Sequence, residues 1–231
     1  VIGYLIYKQQ QLKNNQLKKE SELKDALLKI ETQNKLQEQR LRISRDLHDN
    51  IGAQLTFIIS SIDNLKYAFE INDHKLKHKL NTISDFTSST IYELRDTIWA
   101  MNKNKITFED LQTRISNYID KAHLSDAKVK FEFNVESNVD TSEKFSSVEG
   151  MNILRIIQEA IHNSLKYANA KRINVDVSKK NSNVEFQISD DGAGFDLEKV
   201  KRGNGLNNME KRAMEINGSL DIKSGQGKGT I

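Results

Sequence analysis

Apolar residues recur at helical spacing through the first hundred positions and at strand spacing through much of the rest. Leu47, Ile51, Leu55, Ile58, Ile62, Leu65 and Phe69 follow one another at intervals of 4, 4, 3, 4, 3 and 4 residues. That is one stripe along about six turns of helix. Polar Asn72-Asp73-His74-Lys75 interrupts it, and a second stripe follows at Leu76, Leu80, Ile83, Thr87, Ile91, Leu94, Ile98 and Met101. Two long helices joined by a short polar turn predict an antiparallel hairpin. One hairpin leaves part of each stripe in water, whereas two hairpins packed as a four-helix bundle bury both. The pattern therefore predicts a homodimer. Upstream, residues 8–40 are rich in Lys, Glu, Gln and Leu, all good helix formers. A sparse heptad at Leu12, Leu23, Leu27, Ile30 and Leu41 reads as a coiled coil.

After Asn102-Lys103-Asn104-Lys105 the texture changes. Residues 107–124 read as a shorter amphipathic helix, and Val129, Phe131, Phe133 and Val135 alternate as a strand. A helix is expected over about 146–167. Ile173, Val175 and Val177, then Val184, Phe186 and Ile188, flank Lys179-Lys180-Asn181-Ser182-Asn183 as a β-hairpin. A helix near 205–217 and a strand near 219–224 complete the series. The fold class is thus α followed by α+β, with helices laid on one face of a mixed sheet. The expected organisation is a short apolar start at 1–7, a signalling-type coiled coil at 8–40, a helical hairpin at 41–104 and an α/β domain at 105–231.

Composition narrows this picture. The 231 residues include no proline, no cysteine and 11 glycines, where average usage would give about 5% proline. Long unbroken helices favour such a depletion. The absence of cysteine removes disulfides, thiolate nucleophiles and Cys-ligated zinc. The 35 basic and 32 acidic residues nearly cancel, which argues against direct nucleic-acid binding. Val1-Ile2-Gly3-Tyr4-Leu5-Ile6-Tyr7 is nearly all apolar, with Lys8, Lys13, Lys18 and Lys19 beyond it. A membrane span needs about 20 apolar residues. These seven read either as an ordinary helix start or as the inner end of a span, with lysines on the cytoplasmic flank. The second reading makes the chain the cytoplasmic portion of a cell-membrane (inner-membrane) protein.

Candidate chemistry in the first half lies in Arg40-Leu41-Arg42-Ile43-Ser44-Arg45-Asp46-Leu47-His48-Asp49. His48 follows a stripe residue and so lies about 100° round the helix, at the stripe's edge. Near pH 7 an imidazole is largely neutral and can attack through a ring nitrogen. Asp49 is placed to accept its proton or to orient it. A histidine at a helix flank also occurs with no role, and His74, His78, His123 and His162 are read that way. His74 and His78 have metal-ligand spacing but only Asp73 beside them as a carboxylate.

In the second half, Glu159, Asn163 and Lys166 share a face distinct from the stripe of Leu154, Ile157, Ile161 and Leu165. A carboxylate, an amide oxygen and an ammonium there suit Mg²⁺ and phosphates, although amphipathic helices often carry such a polar face. Asp190-Asp191-Gly192-Ala193-Gly194-Phe195 follows an alternating strand and reads as a plain turn or as a site. In the second reading a carboxylate accepts from an exocyclic amine, and glycines let backbone approach a flat ring. Gly203-Asn204-Gly205-Leu206 precedes a helix whose free N–H groups can hold phosphate. Gly225-Gln226-Gly227-Lys228-Gly229-Thr230 follows the last strand, and no Walker P-loop occurs.

The run Arg42-Ile43-Ser44-Arg45-Asp46-Leu47-His48-Asp49, continued by Gly52 and Leu55, resembles the phosphoacceptor box of sensor histidine kinases of the nitrate-sensor type. The ordered set Glu-x3-Asn-x2-Lys, Asp-x-Gly-x-Gly, Gly-x-Gly-Leu and Gly-x-Gly-Thr resembles the ATP site shared by gyrase, the MutL repair ATPase and histidine kinases. Together the two cover about residues 36–231. This resemblance implies a dimeric four-helix bundle followed by an α/β-sandwich ATP-binding domain of the GHKL (Bergerat) type. It implies ATP and Mg²⁺ as cofactors, with His48 receiving the γ-phosphoryl group and Asp49 as the base. Asn163 is implied as the Mg²⁺ ligand, flanked by Glu159 and Lys166, and Asp190 as the partner of the adenine amine. Gly192, Gly194, Gly203, Gly205, Leu206, Gly227, Gly229 and Thr230 are implied to border the nucleotide, with 195–204 as a short lid. The phosphoryl group would pass to an aspartate of a response-regulator receiver, which in this subfamily carries a helix-turn-helix output, completing a two-component system.

Three departures stand out. The family's phosphatase glutamine falls four residues after the acidic residue, where this chain has Ala53, and Gln54 comes one place later. Tyr167 stands where the family has histidine. The family also continues with a last strand beyond the position of Ile231. Three other readings use parts of the same pattern. They are a Ser/Thr kinase of the anti-sigma type, a gyrase- or MutL-like ATPase with Glu159 activating water, and a catalytically silent dimeric scaffold.

Overall fold

The structure, a computed structural model, describes residues 2–69, 71, 73–125, 127–181, 183–197, 199–200 and 203–231. Val1, Asn72 and Ser182, and positions 198, 201 and 202 of the expected lid, lie outside the described residues. The chain forms two compact units, one ending at Asn102 and the other beginning at Lys103.

In the first unit, α1 (Ile2–Asp46), a π-helical turn (Leu47–Gly52) and α2 (Ala53–Ala68) follow without a break, and α3 (His74–Met101) packs along α2. At Phe69 the backbone turns extended, with φ −114° and ψ 119°. Asp73 then caps α3, its Oδ1 accepting from the N–H groups of Lys75 at 2.7 Å and Leu76 at 3.2 Å. These bonds satisfy donors that a helix start leaves free.

The apolar stripe expected along one continuous α-helix is redistributed. The half-buried or buried positions include Ser44, Leu47, Gly52, Leu55, Ile59 and Ile62, spaced 3, 5, 3, 4 and 3, with Ser61 beside the last of them. The five-residue step spans the π turn, whose hydrogen bonds run from i to i+5. The extra residue keeps the positions on either side facing the same neighbour, α3. Ile51, Ile58, Leu65 and Phe69 remain exposed instead, as do Leu76 and Ile83 of α3. The leucines of α1 are exposed along its length. No helix among the described residues is long and apolar enough to cross a membrane.

The second unit contains β1 (Lys105–Thr107), α4 (Phe108–Ser125), β2 (Lys130–Val135), β3 (Lys144–Ser146) and α5 (Ser147–Asn163). A second π turn (Ser164–Ala168), β4 (Arg172–Lys180), β5 (Asn183–Asp190) and α6 (Asn204–Glu215) follow. The main sheet has the order β2-β4-β5, with β2 parallel and β5 antiparallel to β4. Val175 lies opposite Phe133 on one side and Ile188 on the other. Alternation puts Ile173, Val175 and Val177 under the helices, packed with Phe108, Leu111, Ile115, Leu154, Ile157 and Ile161, all nearly inaccessible. Glu132, Asn134, Asn174, Asp176, Glu185 and Gln187 take the opposite face, as period two requires.

Ser146 starts α5 with a capping box. Its hydroxyl accepts from the Glu149 N–H, and the Glu149 carboxylate accepts from the Ser146 N–H. Buried Asn152 joins α5 to α6, accepting from Arg212 at 3.1 Å and donating to Glu215 at 3.3 Å.

Two features differ from the expectation. A small antiparallel pair, β1 with β3, sets Ile106 opposite Phe145; three residues per strand are too few to show alternation. The segment near 219–224 forms no strand ladder. Lys223 and Ile231 exchange both backbone hydrogen bonds at 2.8 Å, and Thr230 bridges Ser224 and Asp190. Gly227 and Gly229, with φ +72° and +71°, turn the chain back so soon that few positions can pair.

Leu154 is fully inaccessible between α5 and the sheet. Leu154→Ala is expected to destabilise the second unit by about 2–5 kcal/mol, read from chemical denaturation of the whole chain.

Candidate active site

Each unit carries one candidate centre. In the first, His48 and Asp49 lie on the π turn with 70% and 65% of their side chains exposed. His48 Nδ1 lies 3.0 Å from Asp49 Oδ1. A carboxylate only accepts, so Nδ1 carries the proton and Nε2 of the neutral ring keeps its lone pair. The exposed partner Asp49 therefore selects the tautomer in which Nε2 carries the lone pair. Gly52 follows one turn later, and a Cβ built there meets nothing closer than the Leu47 carbonyl at 4.0 Å. Gln54 is exposed and follows Asp49 by five residues.

The second centre lies in a cleft of about 1560 Å³ that runs along α5 and β5 and reaches the end of β5 and the first turn of α6. Glu159, Asn163, Ser164 and Tyr167 line it from the helix and its π turn, Asp190 and Gly194 from the β5 end, and Gly203, Gly205, Leu206 and Thr230 from the rest. The carboxylate of Asp190 is held at both oxygens. Oδ2 accepts from the Ser164 hydroxyl at 2.8 Å, and Oδ1 accepts from the Gly192 N–H at 2.9 Å. The Asp190 N–H donates to the Thr230 carbonyl at 2.9 Å.

Asp191 does something different. One of its oxygens accepts from the N–H groups of Lys171 at 2.7 Å and Arg172 at 2.9 Å, tying the loop to the start of β4. The Arg172 bond, with the Lys171 bond behind it, holds this carboxyl below its ordinary range against a weaker opposing effect of burial. This tie stabilises the fold above the usual carboxylate range and is lost as pH falls through the lowered value.

The glycines divide by what crowds them. A Cβ at Gly192 would lie 2.4 Å from the Ala168 carbonyl oxygen; one at Gly194, with φ +59°, would lie 2.1 Å from that of Gly225. A Cβ at Gly229 would lie 1.9 Å from the Asp190 carbonyl oxygen. At these three positions the chain approaches its own backbone. Gly192, Gly227 and Gly229 do not line the cleft. Gly205 is crowded by a side chain, with Glu159 Oε1 2.1 Å from its built Cβ. Asn163 Nδ2 donates to the same Glu159 oxygen at 3.3 Å.

Lys166, expected beside Glu159 and Asn163, is exposed and does not line the cleft. Its ammonium lies 5.0 Å from the centre of the Tyr167 ring, and Tyr167 itself takes a cleft position. The expectation assumed α-helical spacing, whereas the π turn begins at Ser164 and changes the phase of everything after Asn163. The turn ends at Asn169 in the left-handed region, φ 50° and ψ 40°, which asparagine tolerates. Ser164, 6% exposed, was not foreseen as a site residue. Its signal in the sequence is a serine next to Asn163, following the apolar Leu154, Ile157 and Ile161 of the inner face.

A mixed sheet covered by helices on one face, with a cleft between the long helix, the β5 end and the next helix start, has the fold of the GHKL ATPases. The chain belongs to the histidine kinases. Residues 39–105 match the family described as Histidine kinase, and residues 149–231 match the family described as Histidine kinase-, DNA gyrase B-, and HSP90-like ATPase.

Among curated relatives, the chain is 26% identical over 224 residues to the sensor histidine kinase LiaS of Bacillus subtilis (strain 168), covering 96% of this chain and 58% of that protein. It is 29% identical over 203 residues to a protein of Chloroflexus aurantiacus named as an uncharacterized sensor-like histidine kinase, covering 84% of this chain and 33% of that one. The chain thus spans about half the length, or less, of the curated relatives it matches. A solved structure of the Acinetobacter baumannii histidine kinase AdeS superposes with a TM-score of 0.49 at 17% identity, covering 76% of this chain and 91% of that chain.

Gly229→Ala is expected to destabilise the second unit by about 1–3 kcal/mol, since strained φ and a backbone clash coincide there. Gly203 is the N-cap of α6 and is open, with no heavy atom within 4 Å of a built Cβ. Gly203→Ser should therefore leave stability within about 0.5 kcal/mol. Thermal unfolding of the two variants side by side checks both values.

Proposed function

We propose that the chain is the kinase core of a two-component sensor, autophosphorylating His48 with ATP and passing the phosphoryl group to an aspartate of a response regulator. The observation that carries this reading is the exposed His48 held at Nδ1 by Asp49, on a chain that also provides a cleft with a fixed carboxylate. Nε2 attacks the γ-phosphorus, the bond to the β,γ-bridging oxygen breaks, and ADP leaves. The ring becomes cationic as the N–P bond forms, and the Asp49 carboxylate at Nδ1 stabilises that charge and is placed to accept the Nδ1 proton as the base. Catalysis of this type is mostly positioning and charge neutralisation.

On this reading Asp190 accepts from the adenine amine, and the first turn of α6 offers N–H groups to phosphate. The donor set fits Mg²⁺. The amide nitrogen of Asn163 is engaged by Glu159, which leaves its oxygen as a hard ligand close to a carboxylate. A bound Mg²⁺ would supply charge neutralisation for the phosphates, with Asn163 as the protein ligand. Gly192, Gly227 and Gly229 then act by shaping the loops that border the nucleotide. Lys166 reaches phosphate only by leaving the Tyr167 ring.

The exposed Ile51, Ile58, Leu65, Phe69, Leu76 and Ile83 support a homodimer through residues 41–104, with residues 8–40 as a coiled-coil signalling helix and 105–231 as the catalytic domain. The exposed apolar Ile2, Tyr4, Leu5, Ile6 and Tyr7 are compatible with attachment to a membrane. The π turn also favours a phosphatase role for Gln54. Asp49 and Gln54 are five residues apart, the separation at which a π turn forms its hydrogen bonds. Gln54 thereby comes close to the relation that residues four apart have on an α-helix.

Incubation with labelled ATP and Mg²⁺ is expected to give acid-labile label on the wild-type chain and background label on His48→Gln. Acid-stable label, or label retained in that variant, excludes the assignment. Gln54→Ala should leave autophosphorylation unchanged and slow the decay of a phosphorylated receiver by about tenfold or more. A receiver that decays equally fast with both proteins removes the role of Gln54.

A further inference from the structure

We infer that Ser164 is a positioning residue that sets the cleft's selectivity for a purine bearing a 6-amino group, a proposal that rests on the reading of the cleft as an ATP site. Ser164 is 6% exposed and opens the π turn after α5. Its hydroxyl has two acceptors in reach, the Ala160 carbonyl at 3.1 Å and Asp190 Oδ2 at 2.8 Å. It has one proton to donate. Serine on a helix commonly bonds back to the carbonyl four residues earlier. Here the shorter contact and the charged acceptor both favour Asp190, because hydrogen bonds to ionised groups are the stronger ones.

The consequence lies in the carboxylate. Asp190 is held from both sides, by Ser164 at Oδ2 and by the Gly192 N–H at Oδ1. Rotation of the carboxylate plane breaks both bonds at once. Each oxygen has lone-pair capacity beyond the bond it already accepts, so the group presents an oriented acceptor to the cleft before any ligand arrives. An oriented acceptor rewards a ligand N–H and repels a ligand carbonyl. A carboxylate free to turn would distinguish the two less well, since binding would first have to order it. Gly192 cannot be varied for this purpose, because any side chain there strikes the Ala168 carbonyl. Ser164 is therefore the adjustable half of the clamp.

The test is calorimetric binding of two nucleotides to the whole chain, ATP and purine riboside triphosphate, which lacks the 6-amino group. Wild type is expected to prefer ATP. Ser164→Ala should weaken ATP by about three- to tenfold and leave the deaminated analogue unchanged, so that the preference falls by that factor. Ser164→Cys, similar in size and a weaker donor, should give an intermediate preference and serves if the alanine variant folds poorly. The ratio of the two affinities is taken on one preparation, so a general loss of fold cancels. Equal weakening of both nucleotides, or no change in either, overturns the proposal. A wild-type chain that binds both nucleotides equally tightly overturns the assignment of Asp190 itself, and the role of Ser164 with it.

Discussion

In the second unit, backbone crowds around Asp190 from three directions. Its carbonyl oxygen lies where a side chain at Gly229 would have to be, its N–H is bonded to Thr230, and its carboxylate is clamped by Ser164 and Gly192. The end of β5, the π turn after α5 and the last glycine loop therefore meet at one residue. None of the three can move far without unpairing a buried polar group, which costs more than a typical hydrogen bond contributes. The cleft inherits its shape from that meeting point. Glycine at 192, 194 and 229 follows from backbone-to-backbone contact, and the neighbouring Asp191 is used to fasten the loop to β4.

The first unit depends on a different constraint, the continuity of one helical rod through a turn with an extra residue. α1 and α2 both need to keep their small and apolar side chains toward α3. The π turn at Leu47–Gly52 makes the step of five that this requires. It also contains His48, and π turns tend to occur at functional sites. Because Asp49 holds Nδ1, the orientation of the imidazole and its tautomer follow from one hydrogen bond between adjacent residues.

Much of the fold was legible in the chain. The intervals of the stripe from Leu47 to Phe69 announced a long helix, and the run from Leu76 to Met101 its partner. Alternation at Phe131, Phe133, Ile173, Val175, Phe186 and Ile188 located three strands, within two residues of the observed bounds except at the end of β4, which runs three residues past Val177 to Lys180. The β1–β3 pair was invisible because three residues contain no period. The π turns were invisible because residue preferences for α and π backbone do not differ enough to mark one added residue. That same omission displaced Lys166 from the face assigned to it and concealed Ser164. It also merged two faces of α2, one turned to α3 and one exposed, into a single stripe.

What the sequence determined by itself was local: which segments are helical or extended, where caps and turns fall, and the order in which the motifs occur. Those properties depend on neighbouring residues and on backbone preferences, which are written into short stretches of chain. What only the tertiary structure decided was how Asp191 fastens its loop to β4, which glycines are required by packing, and which hydroxyl orients Asp190. Each of these depends on a contact between segments far apart in the chain, such as Ser164 with Asp190, 26 residues on. A distance of that kind is set by how β5, α5 and the glycine loops close on one another, and no periodicity within any one of them contains it.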